Sequence, residues 1–242
     1  MGNNIFFTAL YGSQNYHLET GLSDIDTKTL VIPTIKDLIE NKVISETVEI
    51  ENGLNDRKDL RKMFEQFLKQ NPSYLEILAS REVKVNPLYQ EEYDELISMT
   101  DEIVKYNPKD FFWATYGTML QKRKDMLEEK PITKNNIEKY GYDGKNASHI
   151  LRLASFYKII KSGKSLKYSL DARHYWNYNT ILALKLHQIE KDKAILEVEK
   201  VLNETELMKN ENFTDKNKET KDKLNKLAEK IIKKSIKLEY SN

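Results

Sequence analysis

Residues 11–29 read YGSQNYHLETGLSDIDTKT, and the fold of the first third of the chain follows from how they are read. Gly12-Ser13 directly follows the apolar run of residues 4–10, in a chain with only 8 glycines. An apolar run that stops at a glycine turn has the pattern of a buried strand. Beyond ten intervening residues, Asp24 and Asp26 stand on either side of Ile25. The stretch DIDTKTLVIP is rich in β-formers and stops at Pro33, which predicts a second strand over residues 25–32. Side chains alternate across a strand, so Asp24 and Asp26 are expected on one face and Ile25 in the core on the other.

Two carboxylates this close repel each other unless a cation lies between them. Hard oxygen ligands with open positions suit magnesium, which proteins hold through one or two carboxylates and substrate phosphates. A Gly-Ser turn leading into a short helix presents backbone N–H groups and a hydroxyl to a phosphate, and glycine lets that phosphate come close.

Working outward, KVISETVEIENGLNDRK predicts further strands with a turn at Asn52-Gly53. Leu60, Met63, Phe64, Phe67 and Leu68 then fall on one face of a helix that stops at Asn71-Pro72, with Asp59 as its cap. Beyond residue 88 the patterning is almost wholly helical, with segments at 89–106, 110–129, 146–163 and 178–202. Residues 215–242 carry 9 lysines against 5 acids, with Leu224, Leu227, Ile231 and Ile232 at helical spacing, as in a docked amphipathic helix with a solvated face. The predicted fold class is α+β. A small α/β domain over residues 1–86 is followed by a mostly helical domain over residues 87–242.

Composition narrows the function classes. The 242 residues are 39% hydrophobic and 32% charged, with a formal net charge of +1, so any polyanion site has to be a local patch. The chain has no cysteine, which excludes disulfides and thiolate zinc sites and fits a reducing cytoplasm. No stretch reaches the roughly 20 apolar residues that span a bilayer, so no membrane partner is expected. The start MGNNIF is similar to an acylation signal but places Phe6 where serine or threonine is needed.

A Gly-Ser followed about ten residues later by Asp-x-Asp resembles the nucleotidyltransferase superfamily that includes DNA polymerase beta. DRKDLRKMFEQFLKQNPSYLEIL at 56–78 and YGYDGKNASHILRL at 140–153 resemble further signatures of one bacterial and phage branch, the RNA repair pathway DNA polymerase beta family. The resemblance covers about the first 80 residues and an island near 139–156. It implies a nucleotidyltransferase domain that moves a nucleoside monophosphate from a triphosphate, with ATP the expected donor, to an acceptor hydroxyl. Mg2+ or Mn2+ is implied as cofactor and an RNA end as acceptor. In that scheme Asp24 and Asp26 are catalytic metal ligands, and a third carboxylate on a neighbouring strand completes the set. Asp56 matches that position, with Glu49 and Glu51 as the other candidates.

Gly12 and Ser13 are then expected to hold donor phosphates. On a helix over residues 145–160, Lys145, His149 and Arg152 would form a polar stripe for triphosphate or RNA phosphate, with Tyr142 able to stack on a base. His17, His174 and His187 read as structural, and Trp113 and Trp176 as core or interface. Two other readings remain: adenylyl or uridylyl transfer to a protein or small molecule, and a non-catalytic nucleotide-binding module.

Overall fold

Phe6, Phe7, Ala9 and Leu10 are all buried, so the apolar run before Gly12-Ser13 is the buried strand its pattern predicts. The protein, described by a computed structural model over residues 4–21 and 23–240, is α+β with one mixed five-stranded sheet. The opening residues 1–3 of the acylation-like start and the last two residues of the lysine-rich segment lie outside that description.

In chain order the elements are β1 (Ile5–Leu10), β2 (Thr27–Val31), α1 (Ile35–Ile39), β3 (Ser45–Ile50), β4 (Gly53–Asp59), α2 (Leu60–Leu68), α3 (Pro72–Leu75), β5 (Val83–Val85), α4 (Gln90–Ser98) and α5 (Thr100–Val104). Then come α6 (Pro108–Asp125), α7 (Lys134–Tyr140), α8 (Gly144–Lys161), α9 (Leu166–Leu170), α10 (Tyr178–Lys185), α11 (Lys191–Glu206) and α12 (Lys218–Tyr240). The segment expected as one helix over 178–202 breaks between α10 and α11, where His187 takes a left-handed φ of 54°.

The chain forms two compact units, residues 1–108 with 215–242, and residues 109–214. The contacts thus divide it elsewhere than at 86/87, because the C-terminal helix returns to the sheet-bearing unit. Leu224, Leu227 and Ile231 of α12 are fully buried there, each contributing about 1.5–3 kcal/mol. Its lysines reach acids of the same unit, Lys223 to Glu102 at 2.9 Å, Lys230 to Glu95 at 2.7 Å and Lys234 to the buried Glu92 at 2.9 Å.

In this unit the strand order is β3-β4-β2-β1-β5, with β2 parallel to β4 and every other pair antiparallel. Asp59 ends β4 and caps α2 by accepting the Arg61 N–H at 2.9 Å, while Leu60, Met63, Phe64 and Phe67 bury one helix face. In the other unit α8 is the central helix, buried continuously from Ile150 to Tyr157 and flanked by α10 and α11. Phe111, Phe112, Phe156 and Tyr157 form an aromatic cluster against it.

Candidate active site

The Gly-Ser turn and the paired aspartates meet at adjacent strand ends. The Tyr11 N–H donates to the Asp26 carbonyl at 3.0 Å, which continues the β1–β2 pairing by one more step. Gly12 has a left-handed φ of +77°, and a Cβ there would come within 3.9 Å of Asp26 Oδ2. The left-handed backbone favours glycine at this position, while a Cβ would meet Asp26 only at ordinary contact distance. Residues 12–17 form consecutive turns rather than the short helix expected after Gly12-Ser13, with the Leu18 N–H donating to the Ser13 carbonyl at 3.0 Å. Any anion held here is held by turn amides, without a helix dipole behind them.

Ile25 corrects a second expectation. β2 begins at Thr27, so residues 24–26 precede the strand and its alternation does not govern them. Ile25 is 44% exposed rather than in the core. Its backbone, not its side chain, fixes the segment. The Ile25 N–H donates to the Asn52 carbonyl at 2.7 Å, and a Cβ on Gly53 would collide with the Ile25 carbonyl at 2.5 Å. Asp26 is fastened to the same hairpin, its Oδ1 accepting the Leu54 N–H at 3.1 Å, while Asp24 is exposed.

Asp56 lies on β4 directly across from Lys28 of β2. It is nearly buried, and both its oxygens face ammonium groups, Oδ2 at 3.3 Å from Lys28 Nζ and Oδ1 at 3.0 Å from Lys58 Nζ. Arg57 points to the opposite face and pairs with Glu46 at 3.0 Å. Glu49 is on the exposed edge strand β3 opposite Leu54, and Glu51 is in the exposed turn beyond it, so Asp56 alone of the three is on the strand that borders β2.

Four neighbours were not singled out in the sequence. Lys28 is buried, and its ammonium lies 3.6 Å from the Tyr11 ring centroid and 4.8 Å from that of Tyr74. Burial lowers its pKa, opposed by Glu76 and Asp56. Glu76, itself buried, accepts the Gly12 N–H at 3.3 Å. The Tyr11 hydroxyl is pushed well above its ordinary range, by burial first and then by Asp26, Asp56 and Glu76. Lys28 was discoverable, as a lone cation near the start of an otherwise uncharged, β-forming run that ends at Pro33. Glu76 is a lone acid in an otherwise apolar run, which is itself a hint.

These carboxylates are hard oxygen donors of the kind Mg2+ or Mn2+ takes. Among the described residues no group of three or more His, Cys, Asp or Glu stands placed to hold a metal ion. The donor chemistry fits such an ion at Asp24 and Asp26. Asp56 is held meanwhile by two lysines.

The second set of expected site residues belongs to the other unit. Tyr142 does not present its ring to a base. It is fully buried, donates its hydroxyl to the Ile189 carbonyl at 2.7 Å and packs near His187. Lys145 is exposed on the first turn of α8, whereas Arg152 is buried and contacts the His149 ring. Burial holds the His149 pKa well below its ordinary value, helped by Arg152, Lys122 and Lys145. The expected stripe is therefore a partly enclosed basic cluster, joined by Lys122 of α6. His187 is structural as expected, accepting the Gly144 N–H at 3.0 Å. Trp113 and Trp176 are 47% and 59% exposed rather than core.

No helix among the described residues is long and apolar enough to cross a membrane. Neither protein-family models nor curated proteins give a match to this chain.

Proposed function

We propose that the chain is a metal-dependent nucleotidyltransferase of the DNA polymerase beta type, in the RNA repair branch, with ATP as the expected donor and an RNA end as acceptor. The observation that carries this reading is the seating of Gly12 against Asp26, with a left-handed turn at the end of β1 and a carboxylate at the start of β2. A second observation supports it. The Gly12 N–H already donates to a carboxylate oxygen, that of Glu76, so it is aimed to donate to a phosphate oxygen in the same place.

In this mechanism the Gly12 N–H and the Ser13 hydroxyl hold the outer phosphates of the donor. Asp24 and Asp26 would hold the cation that accompanies the triphosphate, with Asp56 as the third carboxylate. When bound there, a divalent ion would neutralise phosphate charge and lower the pKa of the acceptor hydroxyl. The acceptor oxygen bonds to the α-phosphorus as the bond to the β-phosphate breaks, and pyrophosphate leaves. The protein contributes positioning and charge, without a covalent intermediate. In the other unit, Lys145 is exposed on the first turn of α8 and offers a phosphate contact of its own.

The test is pyrophosphate release from each of the four nucleoside triphosphates, with and without Mg2+, and with and without single-stranded RNA. Mg2+-dependent release stimulated by RNA supports the reading. Release stimulated instead by a protein acceptor moves the assignment to protein adenylylation or uridylylation.

A further inference from the structure

A buried lysine is rare and persists only where its charge has partners. Lys28 is 4% exposed, and the sheet places it with little freedom. It is paired across to Asp56 on β4 and to the small, fully buried Ala9 on β1, which leaves room for its stem. It also stands two residues after Asp26, one row deeper from the strand end.

From this placement we infer that Lys28 is the internal counter-ion of the acid site. Its ammonium holds Asp56 in the ligand-free chain, and a divalent cation loaded at the aspartates competes with it for that carboxylate. Lys28 is thus a positioning residue that sets how readily the site takes its metal. The inference rests on the nucleotidyltransferase reading of Asp24, Asp26 and Asp56.

Three features carry it. The ammonium and a divalent cation do the same electrostatic work on Asp56, and two positive charges at one carboxylate repel. Lys58 keeps Asp56 Oδ1 partnered, so the oxygen that changes hands is Oδ2. Lys28 also has somewhere to stay once Asp56 is released, because the Tyr11 and Tyr74 rings and the Glu76 carboxylate all favour its charge.

Mn2+ binding to the full chain, followed by electron paramagnetic resonance, tests this without catalysis. Lys28→Met is expected to bind Mn2+ about five- to tenfold more tightly than wild type, and Lys28→Arg to stay near wild type. The melting-temperature deficit of Lys28→Met should shrink in saturating Mn2+, which a purely structural role would not produce. Wild-type Mn2+ binding with unchanged affinity in Lys28→Met overturns this inference alone. Absence of Mn2+ binding in every variant overturns the metal-dependent reading with it. Should Lys28→Met not fold, the Lys28 Nζ resonance of the wild-type protein decides. It is expected to shift as Mg2+ is added, and an unmoved resonance at saturating Mg2+ overturns the proposal.

Discussion

Asp26 Oδ2 lies 3.9 Å from where a side chain on Gly12 would begin, so the turn after β1 and the acids before β2 share one small volume. Gly12→Ala meets two costs. The left-handed backbone costs about 1–2 kcal/mol for an L-residue, and the methyl group would stand where a phosphate has to approach. The expected outcome is a modest loss of thermal stability and a large rise in the apparent Kd for ATP, read by calorimetric titration. Unchanged ATP affinity would remove Gly12 from the donor site.

Asp56 differs from Asp24 in what its loss does to the fold. Asp24 is exposed, and its replacement by alanine should leave the melting temperature nearly unchanged. Asp56→Ala removes the partner of Lys28 and Lys58, and breaking a buried pair from one side costs about 3–5 kcal/mol. Denaturant unfolding of the two variants should show this contrast. Equal stability would mean that the lysines find other partners.

Glu76 occupies the Gly12 N–H that the donor phosphate is proposed to use. A carboxylate at a phosphate position repels the incoming anion, whereas a neutral amide oxygen still accepts the N–H. Glu76→Gln is therefore expected to tighten binding of ATP and of inorganic tripolyphosphate about fivefold, since juxtaposed like charges are costly. Weaker binding would assign Glu76 a supporting role instead.

His149 gives a pH signature in the other unit. Burial, with Arg152, Lys122 and Lys145, depresses its folded pKa below 6.5, so the unfolded chain takes up the proton first as pH falls. Its neutral form contributes nothing to the pH dependence above pH 6.5, and stability declines as pH drops below it. His187 is also depressed, chiefly by burial, and adds to the same trend. Melting curves between pH 7.5 and 5.5 should fall less steeply in His149→Gln than in wild type. Parallel curves would show that His149 titrates normally.

Local periodicity made β1, the β3–β4 hairpin with its Gly53 turn, and α2 with its Asp59 cap legible, because each depends on residues close in sequence. Ile25 was misread because strand alternation was extended two residues beyond where the ladder starts. Tyr142 was misread because an aromatic beside a basic run resembles a stacking platform, and only the Ile189 carbonyl, far along the chain, reveals a core residue. The return of α12 to the sheet-bearing unit is equally non-local. Because Leu224, Leu227 and Ile231 are buried, deleting residues from 215 onward would remove core as well as lysines. The roles of Lys28 and Glu76 emerge only from the pairing of β2 with β4 and from the turn that brings Glu76 back to Gly12.

The most direct measurement follows label from α-32P-ATP with Mg2+ and single-stranded RNA, in wild type and in Asp26→Asn. The amide can still accept the Leu54 N–H through its oxygen, so the variant should fold like wild type. The nucleotidyltransferase reading predicts label on the RNA with wild type and none above background with Asp26→Asn. Equal labelling by the two proteins would contradict it.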